Sequence, residues 1–455
     1  MLILITVFFV AALTYAETSH EFLGFRPVDE GRAINSAHSA AVSPDGRNLY
    51  IAGHRGLYWF RTDTASGGVD PGGFIRNSGP DGNFSGKAVA VSPSGTSVAV
   101  ITENDGLLLY SRDSETGALN SFFSDTSLSG GSVAFSHDGN FIFCASDGLF
   151  SYRVDLQNKN ASRVYGFTGE GRLFENIAVK PEGNIIFLSS YNDDGIYTFK
   201  VNSTGIAVLT DSSDNGLGEM FYTQSLAVSP DGKNLYAGAR GGISWFLIDK
   251  NGSLSYAGAV KAGTGLKGFD DCRGLTLSPD GKKLYAADWF DSSTVFFFRR
   301  DPEDGALIFG ENLNKKASWS PGLAGANSAA AGPGGKFVYF SGMANNTVAW
   351  FRVDEIPVAK SESGLNRPVR FSMQEPQPNP FNPVTAVSFS LPAPLAVRLR
   401  VYDSAGRSVS EIFRGEMKAG THSLKWEAGG FASGVYYFKL NAGVYEAVRK
   451  ASLVK

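Results

Sequence analysis

The chain has 455 residues, of which 43% are hydrophobic and 19% charged, and a formal net charge of -3. That balance suits a globular protein and argues against nucleic acid as a partner, because no basic excess is present to meet phosphates. Cys144 and Cys272 fall in different sequence units, which argues against a disulfide-built scaffold.

Residues 1–16, MLILITVFFVAALTYA, form an apolar run ending in small residues. It is short for a membrane span and is expected to be an export signal cut near Ala16. No Lys or Arg precedes the run, so a retained lipid-facing anchor is the alternative. No later segment is apolar enough to cross a bilayer, so the mature chain is expected to be soluble once exported. Glu21 to Val28, EFLGFRPV, has the character of a strand.

A turn then recurs seven times: VSPDG at Val42, VSPSG at Val91, FSHDG at Phe135, VKPEG at Val179, VSPDG at Val228, LSPDG at Leu277 and AGPGG at Ala331. A spacing of 44 to 54 residues is that of a radial array. Pro presets φ and Gly accepts positive φ, as a tight turn requires, and the flanking β-branched and aromatic residues favour strands. Most units carry four strands, whereas the seventh, ending near Asp354, carries three. Residues 21–28 are expected to supply the missing one and close the ring, giving a seven-bladed β-propeller over residues 17–354.

Residues 355–367, EIPVAKSESGLNR, read as a polar linker. From residue 368 to 455 apolar and polar residues alternate between turn signals, as in a small Ig-like β-sandwich. The fold class is therefore all-β, a propeller followed by a sandwich.

The pattern SPDGxxLYxA, followed by strands such as VFFFRRD and turns such as DSETGAL (Asp113 to Leu119) and DPEDGAL (Asp301 to Leu307), resembles the lactonase-type, or YVTN-type, propellers. The tail is similar to the C-terminal sorting domains of the bacterial type IX secretion system. The matching residues are Pro378, Asn379, Pro380, Phe381, Asn382 and Pro383, then Val401 to Asp403, Gly406-Arg407, Ala419-Gly420, Trp426, Ser433 to Tyr436 (with Gly434) and Lys455. The resemblance implies passage through the periplasm and handling by that machinery, ending free or tethered at the cell surface. A carbohydrate-binding or merely stabilising sandwich is the alternative.

In such a blade the innermost strand starts at the face opposite the turn. The residue six before the turn proline is then expected at the channel mouth, which selects His38, Lys87, Gly131, Glu175, Gln224, Arg273 and Asn327. Lys87 and Arg273 suit an anionic or carbonyl group, and Glu175 or His38 could move protons. A channel whose polar lining merely holds water is the alternative. Loops on the same face add His54, Arg55, Glu103, Asp105, Asp147, Asn192, Arg240, Trp289, Asn345 and Asn346. An exposed Trp289 between acids would suit stacking on a sugar, and packing against the next blade is its other reading.

GTGLKG at Gly263 fits a dinucleotide fingerprint, but no helix follows it. DSSDNG at Asp211 begins like a calcium loop, with Tyr222 where the bidentate Glu belongs, so calcium is the one candidate ion and no other cofactor is implied. No GxSxG elbow and no His or Cys cluster is present.

Two functions follow. One is an exported recognition scaffold presenting its mouth to a glycan, peptide or surface partner, and a monomer is expected. The other, implied by the family resemblance, is a 6-phosphogluconolactonase-like hydrolase that opens a small lactone with Glu175, His38 and Arg273. Cytoplasmic members act on sugar-phosphate lactones, which an exported protein would not meet. A metal-dependent esterase using Glu175 and Asn327 is a third possibility.

Overall fold

The structure, a computed structural model, describes residues 20–27, 36–54, 56–76, 85–182, 184–214, 221–261, 269–289, 294–313, 323–353, 371–391, 394–418, 420–443 and 445–455. The export signal, the linker, Arg55 and the GTGLKG segment lie outside them. Seven antiparallel arrays of four strands surround a central channel. Their inner strands are Ala37–Val42, Gly86–Val91, Ser132–Phe135, Phe174–Val179, Phe221–Val228, Cys272–Leu277 and Ala326–Ala331. The seventh blade takes its outer strand from the start of the chain, where His20–Pro27 pairs antiparallel with Thr347–Val353.

The repeated words have a physical meaning. In the first blade Ser43 Oγ donates to Asp45 at 2.5 Å, Asp45 accepts the Arg47 N–H, and Ser43 Oγ accepts the Asn48 N–H. Gly46 turns the chain at φ 70°, in the left-handed region. The turn therefore satisfies its own polar groups while aiming Asp45 at the next blade. Arg112 of that blade, whose side chain is 1% exposed, grips both Asp45 oxygens at 3.0 and 2.8 Å. It also donates to Asn48, to the Tyr50 hydroxyl and to the Gly95 carbonyl. Tyr50 in turn donates to the Gly117 carbonyl within DSETGAL.

The fifth and sixth blades repeat this arrangement. Arg300 holds Asp231, Asn234 and the Tyr236 hydroxyl, and Tyr236 donates to Gly305 within DPEDGAL. SPDGxNLY and the later Asp-x-x-x-Gly turn are two halves of one lock between neighbouring blades.

Between the blades the middle strands are wholly buried, as in Asn48–Gly53 and Ile185–Ser190. Burial on both faces explains their continuous apolar character. Cys144, in the second strand of the third blade, and Cys272, at the start of the sixth inner strand, are buried free thiols.

The tail is a sandwich. Ser372–Met373, Val384–Leu391 and Gly420–Glu427 form one sheet, and Leu395–Tyr402, Ser408–Met417, Gly434–Ala442 and Tyr445–Leu453 form the other. Trp426 fills its centre, 5.0 Å from Tyr436 and 5.4 Å from Phe438. The second sheet continues into the propeller. Ala259 and Val260, on the outer strand of the fifth blade, pair with Glu446 and Tyr445. Glu446 is fully buried there, 2.7 Å from Lys261 and 3.3 Å from Lys439. The charge is compensated, as a buried carboxylate requires.

Replacing Arg112 or Arg300 by Ala is expected to cost about 2–4 kcal/mol of unfolding free energy, because buried partners lose their donor. Arg47→Ala, which removes an exposed contact to Glu115, should cost under about 0.5 kcal/mol. Urea unfolding of the three variants provides the comparison; equal costs would show that the lock carries no special weight.

Candidate functional site

The mouth residues share one backbone device. The pairing of inner and second strands breaks its register across His38, Lys87, Glu175, Arg273 and Asn327, and across the stretch containing Gln224. A bulge removes one residue from the ladder and re-aims its side chain. The residue after the bulge then turns to the neighbouring blade: Ser39 accepts the Val89 N–H, Asn176 the Leu226 N–H, and Ser328 the Ala40 N–H. The third blade has no such bulge. Gly131 sits at φ 80°, where a Cβ would collide with the Ala145 carbonyl oxygen, so this blade leaves a gap in the ring.

Two of the mouth's acids are neutralised by ion pairs. Lys87 meets Glu103 at 2.5 Å, and Ser85 donates to the other Glu103 oxygen at 2.7 Å. Arg273 meets Asp271 at 3.1 Å, Gln224 donates to the second Asp271 oxygen at 2.7 Å, and the Asp271 side chain is 1% exposed. Among the described residues Glu175 has no such partner. Its carboxyl is open to solvent by area yet walled by the funnel, and desolvation by those walls raises its pKa. Lys87 and Arg273 pull it back down, and Glu103 adds to the rise. A solvent-reachable carboxylate crowded by protein is what a funnel mouth provides.

His38 responds in the opposite sense. Burial, then Lys87, His54 and Arg273, lower its pKa to about 4 against the pull of Glu103, so its ring is neutral at pH 7. Its ring lies 5.5 Å from that of His54, and its buried Nε2 has no hydrogen-bond partner among the described residues. These mutual influences put His38, Lys87, Glu175, Arg273, Glu103 and His54 within one electrostatic neighbourhood.

Other expected residues have structural duties. Asn327 donates to the His38 carbonyl at 2.6 Å, Asn346 accepts the Ser36 N–H, and Asn192 accepts the Leu173 N–H. Trp289 is half-buried, with the Arg273 guanidinium 4.4 Å over its ring and Gly325 close behind. Asp211 to Asp214 belong to the outer strand Ala207–Asp214, and the rest of DSSDNG lies outside the described residues. Among the described residues no three His, Cys, Asp or Glu side chains are grouped to hold a metal ion. Asp271 was not anticipated. Its one signal is its place two residues before Arg273, on the same approach to the mouth.

In the tail, Phe381 is buried 5.8 Å from Trp426, and its N–H bonds the Ser452 carbonyl. Asn379 bonds the Lys450 carbonyl and the Ser452 N–H, and Tyr436 donates to the Ala432 carbonyl. Pro378, Asn379, Pro380, Asn382, Pro383 and Gly434 stay exposed. The motif thus clamps the last strand while leaving a readable surface.

Comparison with known proteins agrees with this architecture. Residues 210–319 match the family described as lactonase, 7-bladed beta-propeller, and residues 377–454 match the secretion system C-terminal sorting domain. The fifth and sixth blades thus carry a lactonase-type propeller sequence, and the tail is a sorting domain of the type IX kind. That tail directs the chain through the periplasm to the cell surface or the extracellular space, by way of the type IX machinery.

Among solved structures, a 6-phosphogluconolactonase-like protein of Bacteroides uniformis is 19% identical over 63% of this chain and 87% of its own, with a TM-score of 0.53. The periplasmic gluconolactonase of Pseudomonas aeruginosa is 18% identical over 61% of this chain and 84% of its own, with a TM-score of 0.51. A chain of the mitotic checkpoint complex is 14% identical over 78% of this chain and 100% of its own, with a TM-score of 0.56. At these identities the likeness is one of fold alone. No curated protein matches the sequence.

The lowered His38 pKa has a sign that can be checked. As pH falls from 6.5 to about 4 the unfolded chain takes up a proton that folded His38 refuses, so stability drops through that window. His38→Gln should flatten the loss by about 2–3 kcal/mol, after allowance for partial solvent access. Chemical unfolding at pH 7 and pH 4 measures it, and identical slopes in both proteins would contradict the assignment.

Proposed function

We propose that the mouth binds a small ring ester and opens it by hydrolysis. The observation that carries this reading is Glu175, an acid of the mouth without an ion-pair partner among the described residues and held above its ordinary pKa beside two cations. Its carboxylate takes a proton from water as the water oxygen attacks the lactone carbonyl carbon. The carbonyl electrons move to oxygen, where Lys87 or Arg273 meets the developing charge. Collapse breaks the ring C–O bond, and the proton on Glu175 passes to the departing alkoxide, leaving a hydroxy acid. His38, neutral and a weaker base than Glu175, serves better as a wall or hydrogen-bond partner than as the proton carrier. The lactonase-type fold and the gluconolactonase named among its structural neighbours support the substrate class.

Recognition without turnover is the second reading. It is favoured by Lys87 and Arg273 being already engaged by Glu103 and Asp271, so that a ligand must compete for them.

Titrating acid release from six-membered sugar and aliphatic lactones separates the two. Glu175→Gln is expected to lower kcat by roughly 10²–10⁴-fold. The wild-type rate should rise with pH as Glu175 ionises, above the ordinary carboxylate range. Turnover no faster than that of the variant on every lactone, with binding retained, would leave the recognition reading.

A further inference from the structure

We propose that Tyr191 and Tyr222 form a sugar-ring subsite beside the mouth, so that the ligand is an acid or lactone carrying at least one further sugar ring. The proposal rests on the mouth binding a carbonyl- or carboxylate-bearing ligand, and it names that ligand's class.

Tyr191 follows the second strand of the fourth blade and Tyr222 lies in the inner strand of the fifth. Their rings stack with centroids 4.5 Å apart at 23°. Stacking the two tyrosines has a visible cost. Tyr222 sits at φ 59°, in the left-handed region that a bulky residue rarely occupies, and its N–H is tied to Asp194 at 2.5 Å. Tyr191 nevertheless stays 37% exposed, and Leu173 beside it is 51% exposed. The Arg240 guanidinium lies 5.5 Å over the Tyr222 ring.

The shelf adjoins the mouth through the chain itself. The Tyr191 N–H bonds the Leu173 carbonyl, two residues before Glu175, and Tyr222 stands two residues before Gln224. A flat aromatic surface rimmed by Arg240 and Asp194 suits a ligand with an apolar face and a polar edge. A pyranose has both, its C–H face for the ring and its hydroxyls for the rim. Trp289 is less available for this purpose, since Arg273 covers it.

Calorimetric titration of the full exported protein with gluconate, with cellobionate, which is gluconate bearing one glucose ring, and with cellobiose tests the assignment. Cellobionate should bind roughly three- to tenfold more tightly than gluconate, the worth of one aromatic stack. Tyr191→Ala should erase that advantage and leave gluconate unchanged, while Tyr191→Phe keeps it; thermal melting verifies that both variants fold. Equal affinities for the two acids in the wild type, or an advantage that survives in Tyr191→Ala, overturn the shelf while the mouth reading stands. Cellobiose binding that Tyr191→Ala abolishes, with no added affinity from the carboxylate in cellobionate, supports the shelf and sinks the mouth reading. No binding of any of the three overturns both.

Discussion

A ring of blades is stable only when its last gap is closed. Pairing of His20–Pro27 with Thr347–Val353 closes this one by joining the two ends of the propeller sequence within a single sheet. The inner strands then face one channel, and the bulge residues of blades far apart in sequence come to one mouth. Arg273 from the sixth blade helps to lower the pKa of His38 from the first only because the circle is complete. The Arg112 and Arg300 locks serve the same constraint at the opposite face, fixing the angle between neighbouring blades through the turns.

The mouth works through imbalance. Glu103 and Asp271 are compensated by the cations beside them, whereas the surrounding walls raise the Glu175 carboxyl. The same walls that raise the carboxyl lower the His38 imidazole, since desolvation penalises whichever form is charged. One environment thus separates the two candidate proton carriers. It is the bulge that puts both in that environment, because a regular ladder would alternate its side chains between the two blade faces.

The tail is part of the same solid. Its last strand extends the fifth blade, and a fully buried Glu446 between Lys261 and Lys439 marks the seam. An outer blade strand is an unpaired edge, and covering it removes a template for aggregation. The exposed prolines and asparagines of the sorting motif lie on the strap over the end of that last strand, while Phe381 and Trp426 anchor the strap from within.

Much of this was legible in the sequence because it is periodic. Seven turns, the three-stranded seventh unit and the strand at residues 21–28 define a propeller, since Pro, Gly and alternating burial act locally. Counting six residues back from the turn lands on the register break of the inner strand in every blade but the third, because each blade repeats one strand length and one turn. The register could not reveal Asp271 or the covering of Trp289 by Arg273, which depend on which side chains from different blades find each other. Nor could it show Tyr191 against Tyr222 or Glu446 against Lys261, contacts made across blades and across domains. Local chemistry and repeat length determined the fold and the tail's address; closure of the ring decided the charge states of the mouth, because pKa values answer to neighbours in space and not in sequence.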